Sequence, residues 1–332
     1  MIPPPAGPGG AGAPPPAARV LPPTPGPQRF DQVQKGRQER KEDGGRRTVI
    51  QEPGNRLIIK QGNRVVIRHD DAERFRRSGR DVRSERRSDG STETFYLRPD
   101  GIRVVTVVDG SGRIVRRYRR GPDGRERNII DNRRFYGTAV AIGIGAVGLA
   151  VALNLARPVL TIPREKYIVD YDRASDEDLY ETLMAPPVEA LERAYSLEEV
   201  RENYLLRDRM RRIDLDAIVF EFGAWQVSPD QYPKLERIAR AILRVLEHNP
   251  DEVVMVEGHT DLVGSDVDNL SLSDRRAESV AEILSETFGV PPENLVTQGY
   301  GEQYPKVDTL AAEPLNRRVA IRRIGPLMER VN

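Results

Sequence analysis

Apolar and polar positions change rhythm several times along this chain. From residue 47 to 130, short β-prone runs such as RTVIQ, RLIIK, RVVIRH, TETFYL and IRVVTVV alternate with turn pairs, among them Gly54-Asn55, Gly62-Asn63, Asp89-Gly90, Asp100-Gly101, Asp109-Gly110 and Asp123-Gly124. Such spacing predicts an antiparallel β-meander with tight hairpins. A transmembrane barrel would need strands of roughly 9–11 residues carrying an apolar outer band. These runs are shorter and rich in Arg, so the expectation is a small sheet whose charged edges discourage strand pairing.

The rhythm then disappears. Residues 135–156, FYGTAVAIGIGAVGLAVALNLA, hold no ionised side chain. At about 1.5 Å per residue, a helix of this length crosses a bilayer core of about 30 Å, and its glycines are tolerated in membrane helices. The stretch therefore predicts a membrane segment. Arg116, Arg117, Arg119, Arg120, Arg125, Arg127, Arg133 and Arg134 precede it, whereas Arg157, Arg164, Lys166 and Arg173 follow. By the positive-inside tendency, the C-terminal part is expected outside the cytoplasm. Residues 158–210 leave through Pro158 and Pro163 and carry two capping-box spacings, Ser175 with Asp178 and Ser196 with Glu199, which predict short bridging helices.

Over residues 211–326 strand and helix patterns alternate. RIDLDAIVFEF (212–222), DEVVMVEG, NLVTQGYG and NRRVAIRRI read as four strands. A first helix is expected from Ser228-Pro229-Asp230-Gln231 to Asn249-Pro250, with Leu235, Ile238, Ile242, Val245 and Leu246 on one face. A second is expected from an N-cap at Ser273 to Gly289, with Ala277, Val280, Ala281 and Leu284 inward. The order β-α-β-α-β-β defines an α+β domain, helices layered on one sheet.

Composition adds boundaries. Residues 1–46 open with a Pro/Ala/Gly tract and continue through KGRQERKEDGGRR, a composition that predicts a disordered Pro-rich N-terminus. Lys plus Arg total 52 against 51 Asp plus Glu, which gives no reason to expect nucleic acid. The chain has no Cys, which excludes disulfide frameworks, thiolate zinc sites and thiol catalysis. After the first Met there is no basic and apolar leader of the secretory kind, so export is expected to use another element or an upstream start.

GHTD at 258–261, then Asn269, Leu272, Ser273, Arg276 and Ala277 spaced N-x-x-L-S-x-x-R-A, then GYGEQYP at 299–305 and NRRV at 316–319, fall in one order. In these blocks residues 211–326 resemble the OmpA-like C-terminal domain, the peptidoglycan-associating module. About two thirds of the chain lies outside the resemblance. It implies a periplasmic domain that binds wall peptide stems non-covalently through meso-diaminopimelate. It implies a cell-envelope membrane, by family habit the outer one, with an inner-membrane anchor as the alternative. In that family the Asp of H-T-D takes the ligand's ammonium and the Arg of R-A its carboxylate. Matched residue by residue, these are Asp261 and Arg276, with Asn269, Arg317 and Thr260 as neighbours.

The chemistry suits a zwitterion. An ammonium needs an anion, and a carboxylate is best met by the planar guanidinium fork, which can donate two parallel hydrogen bonds. Asn269 is also a candidate for simply holding its loop. Asp266, Asp268, Asp274 and Arg275 are expected to be solvated, Gly258 and Gly264 to serve backbone geometry, and Trp225 has no assigned role. An enzyme reading would begin with His259 and Asp261 as metal ligands, but His69 and His248 lie elsewhere in the pattern and no third ligand is evident. No catalytic residue, metal or cofactor is therefore expected. A stator-like subunit is the main alternative, since proteins of that class also join a membrane helix to such a domain; ion coupling would call for an acid within the helix, and 135–156 offers only Asn154. A soluble scaffold is the third reading. No protein partner or oligomeric state can be read from the pattern.

Overall fold

A computed structural model of the chain describes residues 29–136, 155–221 and 223–328. Three sheets account for its strands. The first is a four-stranded antiparallel meander of β1 (Gln38–Glu42), β2 (Arg47–Glu52), β3 (Arg56–Gln61) and β4 (Arg64–His69). The second is a five-stranded meander of β5 (Arg80–Arg86), β6 (Thr92–Leu97), β7 (Arg103–Val108), β8 (Ile114–Arg120) and β9 (Glu126–Asp131). The turn pairs do what their chemistry suggests: Gly54 and Asn55 both adopt positive φ, +83° and +54°, closing the hairpin between β2 and β3.

The expected single meander is thus two sheets, separated by a helix at Ala72–Ser78 that the strand reading passed over. Ala72 and Phe75, three residues apart, are both buried and give that short helix its apolar side. The expected disorder over 1–46 also needs correcting where the chain is described. Residues Phe30–Lys35 are helical and β1 pairs along its whole length with β2. Val33 is fully buried, and sheet pairing with a buried anchor offsets the ordering cost that the local composition alone could not. Residues 1–28 lie outside the described part, as do residues 137–154 of the apolar run. Among the described residues, no helix is long and apolar enough to cross a membrane.

The third sheet runs β10 (Ile168–Asp170), β11 (Arg212–Asp214), β14 (Val319–Arg323), β12 (Val254–Gly258) and β13 (Leu295–Gly299) in space. β12 is parallel to β13 and antiparallel to β14, while β10 adds a parallel edge strand beside β11. The α+β order expected for this domain is present, with helices Glu236–His248 and Asp266–Glu286 layered on one face. Ile238, Ile242 and Val245 from one helix and Ala277, Val280, Ala281 and Leu284 from the other pack with Val254, Val256, Leu295 and Ile321 of the sheet. Both capping boxes between residues 158 and 210 form, at Ser175 with Asp178 and at Ser196 with Glu199. This stretch does more than bridge: Leu179 and Leu183 join the main core, and Leu197, Val200 and Leu206 cover the second face of the sheet beside Met255, Val296 and Ile324. Ile129 and Ile130 of β9 enter that same cluster, so the five-stranded sheet packs directly on the C-terminal domain.

Three local expectations shift. The strand at 212–222 ends at Asp214; Leu215 still donates its N–H to Val319 O at 2.8 Å, and Ile218 stays buried beyond the ladder. The first helix opens as a 3-10 turn over Pro229–Leu235, because Pro233 lacks an N–H and disfavours helical backbone in the residue before it. The long helix begins at Asp266, where Ser265 accepts a hydrogen bond from the N–H of Asp268, rather than at Ser273.

Candidate functional site

The loop that carries Asp261 is fixed by backbone bonds on both sides. After β12, the N–H of His259 donates to Arg318 O at 2.9 Å and the N–H of Thr260 to Gly301 O at 2.9 Å. The helix Asp266–Glu286 lies close over the strand ends because Gly258 and Gly299 have no side chain there: a Cβ on Gly258 would fall 1.9 Å from Ser273 O, and one on Gly299 would fall 2.4 Å from the Asp274 nitrogen. Ser273 is therefore a contact residue inside the helix, its hydroxyl accepting from the N–H of Gly301 at 2.8 Å and donating to Leu270 O. Arg276 therefore sits about three turns inside the helix, away from its N-terminus.

Asp261 is largely buried, and its Oδ2 accepts from Arg317 Nη1 at 2.7 Å. Its Oδ1 accepts from the N–H of Val263 at 3.3 Å, and its carbonyl accepts from Asn269 Nδ2 at 3.3 Å. The same Asn269 amide donates to Glu302, the acid of GYGEQYP. Asn269 thus acts first as the holder of the Asp261 loop. Thr260 spends its N–H on Gly301, and its buried Oγ1 has no hydrogen-bond partner among the described residues.

Arg276 is 3 % exposed. Its Nε donates to Ala224 O at 3.0 Å and its guanidinium lies 4.8 Å from the centre of the Phe220 ring. Among the described residues it forms no ion pair. Burial, with the neighbouring charge of Arg317, pushes its pKa down to about 10 despite the opposing pull of Asp261, so it remains cationic at neutral pH. The structure therefore brings Asp261, Arg276 and Arg317 within electrostatic reach of one another, with Asn269 and Thr260 in the supporting loop. Pattern reading missed Phe220, Ala224 and Glu302. Glu302 stood within a quoted motif; a backbone carbonyl such as that of Ala224 leaves no trace in a sequence.

His259 is not placed for the metal chemistry weighed above. It is 3 % exposed, its ring nitrogens have no hydrogen-bond partners among the described residues, and it stacks on Tyr300 at 5.6 Å. Burial and the nearby Arg318 push its pKa down to about 3, so the ring is neutral. A different trio, His69, Asp71 and Glu278, is close enough to share an ion, but Asp71 and Glu278 are already engaged with Arg74 and Arg117, and His69 with Asp274.

The charges expected to be solvated on this helix are the clearest correction. Asp274 is fully buried and takes Arg56 Nε at 2.9 Å, His69 Nδ1 at 3.0 Å and the Gly299 N–H at 3.1 Å. Arg275 is buried against Glu52 and donates to Pro53 O at 2.8 Å, while Asp268 takes Arg37 Nη1 at 2.6 Å. Asp274 and Arg275 face the first sheet, whose complementary charges exclude water from them, whereas the paired Asp268 side chain stays 25 % exposed. Only Asp266 is exposed as expected.

The OmpA family model matches residues 219–318. Over 123 residues the chain is 37% identical to the outer-membrane lipoprotein YfiB of Pseudomonas aeruginosa, covering 36% of this chain and 70% of that one. It is 36% identical over 110 residues to outer membrane porin F of the same organism, covering 32% of this chain and 30% of the porin, so less than a third of the porin's length is spanned. Among solved structures, the cell wall anchor of the T6SS from Pseudomonas aeruginosa is similar at 29% identity, over 34% of this chain and 78% of that one, with a TM-score of 0.28. The fold and the ordered blocks define an OmpA-like domain. The chain belongs to the OmpA family.

Proposed function

We propose that this chain is a non-catalytic tether of the cell envelope whose C-terminal domain holds peptidoglycan by the zwitterionic end of meso-diaminopimelate, with Asp261 facing the ammonium and Arg276 the carboxylate. The observation that carries the reading is the state of Arg276: a buried guanidinium with no carboxylate of its own, beside an aspartate at the same rim. A buried charge without a partner is costly, and a ligand carboxylate would relieve that cost. Arg317 pairs with Asp261 and would share that carboxylate with the incoming ammonium.

Charge-assisted hydrogen bonds contribute about 1.5–3 kcal/mol each when desolvated. A few of them on an open rim support weak single-site binding, and retention on the wall then follows from its many repeated stems through effective concentration. The chain would hold a cell-envelope membrane to the wall, the outer membrane by analogy with its lipoprotein and porin relatives. Asp261→Ala and Arg276→Ala are each expected to abolish pull-down on purified peptidoglycan with an unchanged circular dichroism spectrum. Undiminished retention of both variants would sink the proposal.

A further inference from the structure

The first sheet lies outside the matched domain, yet it reaches the binding rim through one carboxylate. Glu52, at the end of β2, is 3 % exposed. Its Oε1 accepts from Arg37 Nε at 2.8 Å, and its Oε2 accepts from Ser271 Oγ at 2.5 Å and Arg275 Nη2 at 3.3 Å. Arg37 continues to Asp268, next to the Asn269 that holds the Asp261 loop. Arg275 continues to Trp225, its guanidinium 5.3 Å from the indole, and Trp225 follows the Ala224 whose carbonyl accepts from Arg276 Nε. Two short chains of contact thus run from one buried carboxylate to the two halves of the rim.

We infer that the N-terminal sheet is a working part of the ligand site, with Glu52 a positioning residue that sets Arg276 through Arg275 and Trp225 and the Asp261 loop through Arg37 and Asp268. The inference rests on the reading of Asp261 and Arg276 as the ligand pair. Its logic is that of a fixed fork: with Nε held on Ala224 O, the guanidinium plane of Arg276 is set and its two Nη atoms are left to meet a carboxylate, and that carbonyl directly precedes the Trp225 that Arg275 covers. Without the Glu52 charge, Arg37 and Arg275 lose the anion between them and must find other partners.

The chain has a single Trp, so tryptophan emission reports on Trp225 alone. The test uses the full chain and a soluble tetrapeptide stem containing meso-diaminopimelate. Glu52→Gln is expected to shift the emission and to weaken peptide binding about tenfold, within the range that contacting residues exchange. Glu52→Asp, which keeps the charge, should recover part of both. Arg275→Lys, which keeps the cation for Glu52 but has no planar group to lay on the indole, should shift the emission in the same direction and serves if Glu52→Gln fails to fold. Unchanged emission in these variants overturns the coupling, and so does shifted emission with wild-type affinity. If the wild-type chain does not bind the tetrapeptide, the reading of Asp261 and Arg276 falls, while the emission comparison still decides whether Glu52 sets Trp225.

Discussion

Arg275 and Arg276 are neighbours on one helix, identical in chemistry and both nearly enclosed; burial and a nearby guanidinium, Arg56 for one and Arg317 for the other, push the pKa of each down to about 10, yet among the described residues only Arg275 has an ion pair. Arg275 meets Glu52 and a backbone carbonyl of the first sheet. Arg276 lies nearer the Asp261 loop, with a carbonyl and an aromatic face as its neighbours and no ion pair among the described residues. The same contrast holds around them. On the sheet side, Asp274, Glu278, Arg56, His69 and Arg74 are matched cation to anion. On the rim side one cation is left over. The comparison teaches that buried charge by itself is no pointer to a ligand here, and it is the unpaired cation on which the proposed site rests.

The largest blow to the matched side should come from Asp274→Ala, which leaves Arg56 and His69 enclosed without their shared anion. Removing one member of such a network costs about 3–5 kcal/mol, read as a lower urea midpoint. A change below about 1 kcal/mol would mean that the network contributes little beyond filling space. Next comes pH. Burial opposes the charge on His69, but Asp274 and Glu278 outweigh it and hold its pKa up at about 9, against an ordinary 6.5. A raised folded-state value means that its contribution is fully present below about pH 6.5 and disappears as pH rises through about 9. The difference corresponds to roughly 3 kcal/mol at most, so unfolding midpoints should fall over that window, and His69→Gln should flatten the fall. The smallest effect tests the unmatched side. Arg276→Lys keeps the charge and loses the fork, and should weaken peptidoglycan-peptide binding by about tenfold in a calorimetric titration, while stability moves by about 0.5 kcal/mol or less. Loss of stability as large as that of Asp274→Ala would erase the contrast.

What the sequence made legible follows the same division. The four strands and two helices of the C-terminal domain announce themselves by local periodicity, and the proposed ligand pair by blocks between residues 258 and 319. The fate of Asp274, Arg275 and Asp268 does not, because the groups that enclose them lie far upstream: Arg56 is separated from Asp274 by 218 positions and Arg37 from Asp268 by 231. A charged residue at helical spacing looks the same whether water or another sheet lies against it. The helix start was misplaced for a related reason. Between Ser265 and Ser273 the chain offers Val267, Leu270 and Leu272 among polar residues, too thin a stripe to reveal a helix whose first two turns are enclosed by Arg37 and by Glu302 through Asn269.

The interface between sheets and domain also bears on how the molecule can meet a bilayer. The apolar run 135–156 is bounded by Tyr136, buried against the second sheet under the guanidinium of Arg113, and by Leu155, packed on the cluster that Ile129 and Ile130 share with Leu197 and Met255. Arg134 donates to Met328 O, near the far end of the chain. Entrance and exit are therefore packed on the same sheets and domain. A hydrocarbon layer of about 30 Å cannot lie between surfaces that share Arg56–Asp274, Arg74–Glu278 and Arg119–Glu293 ion pairs. A molecule that keeps this interface has both sheets and the OmpA-like domain in one compartment.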